Sequence, residues 1–129
     1  MANPTMASQG SNREVHCATA KFTWVATAAD TYTSTVMIPS GAQIISVAVR
    51  AGATGEAVPS TGTNLTVLVG GVAVSAAVVR ADSYHAVGDS YCTAPIFYTD
   101  AGLDNCAIGV LTVGTHDVGN TYVSVCYVV

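Results

Sequence analysis

Leu65–Ala76 reads LTVLVGGVAVSA, two alternating β-branched runs joined by Gly70-Gly71. Paired glycines suit a two-residue hairpin turn because both central positions of such a turn take positive φ. A turn there sets Val69 opposite Val72, Val67 opposite Val74 and Leu65 opposite Ala76, six apolar residues on one face. Leu68 then faces Ala73 and Thr66 faces Ser75 on the other. Turn chemistry and alternation agree on one register, which is the strongest local signal in the chain.

The same grammar extends outward in both directions. Ile38–Arg50 (IPSGAQIISVAVR) offers Pro39 and Gly41 for a turn, then a strand with Ile45, Val47 and Val49 on one face. Thr121–Val129 (TYVSVCYVV) puts Val123, Val125, Tyr127 and Val129 on one face. The loop Gly114–Asn120 is expected to join it to Ala107–Val113 as a second hairpin. Glu14–Ala28, Thr31–Ile38 and the short Pro95–Thr99 supply further strands, and no helical stripe is sustained anywhere. The expected fold is all-β: a single antiparallel β-sandwich or jelly roll of about eight strands over 14–129. Residues 1–13 fall outside the strand pattern. They read as an N-terminal arm, frayed or ordered on a partner, with Asn3, Pro4, Thr5, Met6, Gln9, Asn12 and Arg13 as its candidate contacts. Fully extended, such an arm reaches about 43 Å at roughly 3.3 Å per residue.

Composition narrows the function. Half of the 129 residues are apolar but only 12 are charged, where an average domain of this length carries about 32. High hydrophobicity with low charge excludes a disordered chain. Four basic residues against eight acidic ones leave no footprint for phosphates, so no direct nucleic-acid contact is expected. The charge-free stretch Ala57–Val79 is broken by Pro59, Asn64 and Gly70-Gly71, so no membrane span is expected. MANPTMASQGSNR has no apolar core and does not read as a secretory leader. A folded chain of this mass exposes roughly 6,400 Å². So few charges on that area imply either a surface of hydroxyls or one hidden by other chains.

Chemistry-bearing residues are sparse. Cys17, Cys92, Cys106 and Cys126 permit two disulfides by three pairings. No CxxC is present, and each lies in or beside an expected strand, where a thiol serves as a small hydrophobe. Synthesis in a reducing compartment favours free thiols, although a particle released from the cell could oxidise later. His116-Asp117 sits in a glycine-flanked loop that reads as a solvated turn, and no GxSxG supports a hydrolase. Asp100 and Asp104 are ordinary turn formers without calcium-loop spacing. Asn64-Leu65-Thr66 matches the glycosylation triplet, without a leader to support it. Trp24 alternates with Phe22 and reads as core, whereas Tyr122 falls on a polar face. No catalytic, metal or cofactor site is expected.

STVMIPSGAQIISVAVR, TNLTVLVGG and the closing GNTYVSVCYVV together resemble small β-sandwich virion proteins of tailed bacteriophages. The match rests on Ile38, Pro39, Gly41, Ala42 and Ile44, then Leu65, Val67, Val69 and Gly70, then Tyr122–Val129, about two thirds of the chain. It is strand grammar and carries over no catalytic residue. The resemblance implies a capsid decoration, or cement, protein. Such a protein is made in the host cytoplasm, associates with itself as a trimer or dimer, and binds the major capsid protein on the outer surface of the head. Two other classes fit the same strands: a glycan-binding module of a phage fibre or adhesin, and a tail or pilus subunit. The glycan reading needs exposed aromatics near carboxylates, for which Tyr84, Tyr91 and Tyr98 beside Asp82, Asp89 and Asp100 are the candidates.

Overall fold

A computed structural model describes residues 14–86, 88–93 and 106–128, with the side chains of Tyr91 and Thr93 also outside the description. The strands are β1 (His16–Trp24), β2 (Thr31–Ile38), β3 (Gln43–Ala51), β4 (Asn64–Val69), β5 (Val72–Ala73), β6 (Val78–Val79), β7 (Ser90–Thr93), β8 (Cys106–Val113) and β9 (Gly119–Val128). One helical turn, α1 (Arg80–Ser83), precedes β7. The expected strand at Pro95–Thr99 and the arm 1–13 lie outside the described residues.

The pairings are nested. β4 pairs with β5, β3 with β7, β2 with β8 and β1 with β9, each antiparallel. Each partner steps outward along the chain from Gly70-Gly71, so the whole domain is one long antiparallel ribbon bent at that turn. Rolling the ribbon adds β3–β9 and β4–β8 contacts and divides it into two sheets. Their orders are β1-β9-β3-β7 and β2-β8-β4-β5, with β6 alongside β4. This is a jelly-roll sandwich, which buries both inner faces against each other. Trp24, Ile38, Ile44, Leu65, Ile108 and the valines 47, 49, 67, 110, 123 and 125 fill the space between the sheets.

The turn forms as its sequence dictates. Gly70 and Gly71 have φ of 61° and 82°, and Val69 and Leu68 face Val72 and Ala73. The expected Val67–Val74 pair is kept by the Val74 amide, which donates to the Val67 carbonyl at 2.9 Å; beyond it the register slips by two residues, and Leu65 faces Val78 instead of Ala76. Ser75 causes the slip: its buried Oγ accepts from the Val67 amide at 3.0 Å, taking the place of a ladder acceptor. Val72, at the sheet edge, is exposed.

Two further expectations are corrected. β8 and β9 do not form a hairpin, because they lie in different sheets. β9 is saturated by β1 on one edge and β3 on the other. The loop between β8 and β9 therefore crosses the end of the sandwich, bridged by Thr27 N to His116 O and His116 N to Thr27 O. In β3, a register shift between Ile44 and Ser46 re-phases the strand. Ile44 becomes 1% exposed and joins Val47 and Val49 inside, while Ile45 turns outward at 39%.

Cys17 and Cys126 face each other across β1–β9 and form a disulfide spanning 109 residues. The expectation of free thiols fails for this pair. Their adjacency is a product of the roll, invisible at that separation in sequence. Cys92 is exposed on β7, and Cys106 is buried beneath Gly70, where a Cβ would meet its Sγ at 2.9 Å.

The disulfide locks the open end of the ribbon, so its loss releases nearly the whole chain in the unfolded state. Closing a loop of about 100 residues is worth about 4.7 kcal/mol in the chain-entropy description. Replacing Cys17 and Cys126 together by serine is expected to cost about 2–4 kcal/mol in denaturant unfolding. Reductant should lower the wild-type midpoint and leave that of the double variant unchanged.

Candidate functional site

One end of the sandwich carries a buried polar cluster. The β8–β9 loop brings His116, fully buried, against Trp24 at 4.9 Å between centroids, with the Tyr84 ring stacked at 5.9 Å. His116 Nδ1 lies 3.3 Å from the Gly114 carbonyl, which only accepts, so Nδ1 carries the proton. Nε2 is then the acceptor for the Tyr84 hydroxyl at 2.9 Å. Burial pushes the imidazole below its ordinary pKa and pushes the Tyr84 hydroxyl well above its own. Gly62 has no side chain because a Cβ there would sit 2.7 Å from the His116 ring.

Around this pair the loops are tied by charge. The Asp117 carboxylate accepts from the Ser60 hydroxyl and amide and from the Thr61 amide, which hold it below its ordinary pKa, the Ser60 hydroxyl most strongly. Arg80 donates to the carbonyls of Gly62 and Pro59. Asp117 therefore faces the 59–61 backbone and does not orient His116. Both ring nitrogens of His116 are committed, so the pair fastens the β8–β9 loop to Tyr84 at the end of α1.

The two outer sheet faces differ in character. On β1-β9-β3-β7, outside the disulfide, Thr19 and Ser124 share a hydroxyl hydrogen bond at 2.8 Å, and Thr23 donates to Asn120. Glu56 accepts from Tyr122 at 2.7 Å and from Asn120, with Lys21 at 3.8 Å. The Tyr122 bond is the main reason its carboxyl titrates below the ordinary range. Arg50 stacks 4.2 Å over the Tyr122 ring. Beside it lies an open depression of about 410 Å³ lined by Arg50, Gly52, Thr54, Asp89 and Ser90.

The outer face of β2-β8-β4-β5 carries no charged residue among the described strand positions. Its columns are Thr31, Thr33, Thr35 and Met37 on β2, then Ala107, Gly109, Leu111 and Val113 on β8, then Asn64, Thr66 and Leu68 on β4. Ala73 and Val79 complete it at the edge. Met37, Val79, Leu111 and Val113 are each 43–50% exposed. The described charges sit on the opposite sheet or in the end loops. This bare aliphatic-and-threonine surface is the candidate contact site.

The structure sorts the residues singled out from sequence. Tyr84 is not an exposed aromatic: it is fully buried, its hydroxyl spent on His116. Tyr98, Asp100, Asp104 and the side chain of Tyr91 lie outside the described residues, as do Asn3, Pro4, Thr5, Met6, Gln9, Asn12 and Arg13. Asp89 accepts from the Ala86 amide and lies 2.7 Å from His85. Trp24 is core, its Nε1 donating to Thr121 at 3.0 Å. The His116 loop is no solvated turn. Among the described residues, no three His, Cys, Asp or Glu converge as metal ligands, and no helix is long and apolar enough to cross a membrane.

Among solved structures, this fold is similar to a chain of the cyanophage Pam1 capsid asymmetric unit. The identity is 22% and the TM-score 0.60, over 100% of this chain and 92% of that one. It is similar also to a chain of the acid-stable capsid of the Helicobacter pylori bacteriophage KHP30, at 16% identity and TM-score 0.60, over 89% of this chain and 87% of that one. No protein-family model matches the sequence, and no curated protein matches it. At these identities the likeness establishes a shared fold.

Buried neutral His116 makes stability pH-dependent. Its folded pKa lies below the ordinary 6.5, so the unfolded chain binds the proton more readily. Its contribution is complete above about pH 6.5 and declines as pH falls from there. Glu56 and Asp117 lose theirs lower, below their ordinary values of 4.5 and 3.8. Denaturant midpoints should fall as pH drops below about 6.5, and His116→Gln should flatten that fall while lowering stability overall.

Proposed function

We propose that this chain is a structural protein of a bacteriophage virion, a capsid decoration protein that associates with itself and binds the outer face of the head shell. One observation carries the reading: the fold matches two phage capsid chains along nearly its whole length. The uncharged outer face of β2-β8-β4-β5 supports it, because interface cores are depleted in charge. The Cys17–Cys126 disulfide suits a protein that persists outside a reducing cell. The commitment of His116 to Tyr84 and Gly114 supports a role without catalysis.

The mechanism is linkage. A protein that contacts two neighbouring shell subunits binds the closed shell better than the separated one, and that difference opposes separation. A valine-packed sandwich closed by a disulfide is a stiff brace for the purpose. The partners proposed are further copies of the chain and the major capsid protein, and the location is the virion surface.

Quantitative mass spectrometry of purified virions should find the chain at a fixed ratio to the major shell protein. Heads stripped of it should release DNA at a lower temperature and recover on adding it back. Absence from virions, or an unchanged release temperature, would sink the reading. We also propose that residues 1–13 form a partner-binding arm. Deleting residues 2–13 should weaken binding to stripped heads while leaving the melting temperature of the free protein unchanged.

A further inference from the structure

We propose that the outer face of β2-β8-β4-β5 is where two copies of this chain pack, sheet against sheet across a two-fold axis. This deepens the self-association in the reading above and rests on it. The first support is electrostatic. The chain carries a formal net charge of −4, so two copies repel when their charged surfaces approach. The described charges lie on the opposite sheet, with Lys21 and Arg50, or outside the strands, with Glu14, Asp30, Glu56, Arg80, Asp82, Asp89 and Asp117. Among the described residues, the uncharged face is a broad surface along which a second copy meets no like charge. An isologous contact requires a patch that tolerates itself, and a face of threonine, valine, leucine and methionine meets that requirement.

The second support is area. Columns of eight residues on β2 and on β8, six on β4 and two each on β5 and β6, spaced about 4.8 Å apart at roughly 3.3 Å per residue, give a face of about 400 Å² in projection. Two such faces bury about 800 Å², the low end of the range, where weak and transient interfaces lie. Leu111 occupies an inner column, opposite Thr31 on one side and Thr66 on the other. At 44% exposure it gains most from being covered.

Sedimentation velocity on the full chain carrying Cys92→Ser, from micromolar to millimolar concentration, tests this. The expected result is a concentration-dependent shift from monomer to dimer that is not weakened between about 0.05 and 1 M salt, since no charge pair holds it and salt screens the repulsion between the copies. Leu111→Lys should raise the dissociation constant about tenfold or more, and Thr19→Lys on the opposite face should not. Should Leu111→Lys fail to fold, Leu111→Cys in the same background should cross-link to its own copy with a short bis-maleimide. A monomer at every concentration, a dimer that salt dissolves, or a dimer indifferent to Leu111→Lys overturns the proposal. The virion assay is separate: a chain present in virions whose Leu111→Lys variant still dimerises removes this face and leaves the capsid role standing.

Discussion

The pairing of the first strand with the last is the contact on which the rest of the structure depends. β1 and β9 run antiparallel from His16–Tyr127 to Trp24–Gly119, at the open end of a ribbon whose other end is the Gly70-Gly71 turn. Every other pairing is nested between those limits. Release of β9 would uncover β1 and β3 together, because it is the shared neighbour of both. Pairing between residues so far apart costs loop entropy before any contact rewards it. The Cys17–Cys126 bond meets that cost covalently, at the position where the chain alone is least able to.

Inside the roll, small β-branched residues do most of the packing. A valine core has few rotamers to lose and sits well on a pleated sheet. It offers no polar partners, so the polar groups that are buried find one another. Trp24 donates to Thr121, and Tyr84 to His116. Ser75 serves the Val67 amide, and Ser34 donates to the Ile108 carbonyl where β2 departs from regular pairing. Among the described residues, no buried side-chain nitrogen or oxygen lacks a partner. Much of the apolar content is thus core, and the scarcity of charge belongs to the surface. Among the described residues, charges gather on one sheet and in the connecting segments, leaving the outer face of the other sheet bare.

Local pattern made part of this legible in advance. The all-β class, the Gly70-Gly71 turn, the Trp24–Phe22 alternation and the inward valines of β9 follow from periods and turn residues that act over a few positions. The misreadings share a different cause. Alternation places Ile45 inside because it has no memory of a bulge, and the bulge exists only where β3 meets β9. It places Ser75 in a strand because that residue's role as a ladder acceptor depends on a neighbour eight residues away. Tyr84 reads as exposed because nothing near it in sequence is its partner; His116 is 32 residues distant.

What the sequence by itself determined was the material: a charge-poor, β-branched chain that must bury one face of each strand, and a glycine pair that must turn. Those are local properties, set by φ preference and side-chain period. Which strands meet was decided by the tertiary structure alone. The β8–β9 segment has the grammar of a hairpin, yet β9 gains two buried edges by crossing to the other sheet. The same crossing brings Cys17 to Cys126, shuts His116 against Tyr84, and leaves Met37, Leu111, Val113 and Val79 together on an uncharged face. Such groupings arise from cooperative pairing across a hundred residues, and no local period encodes them.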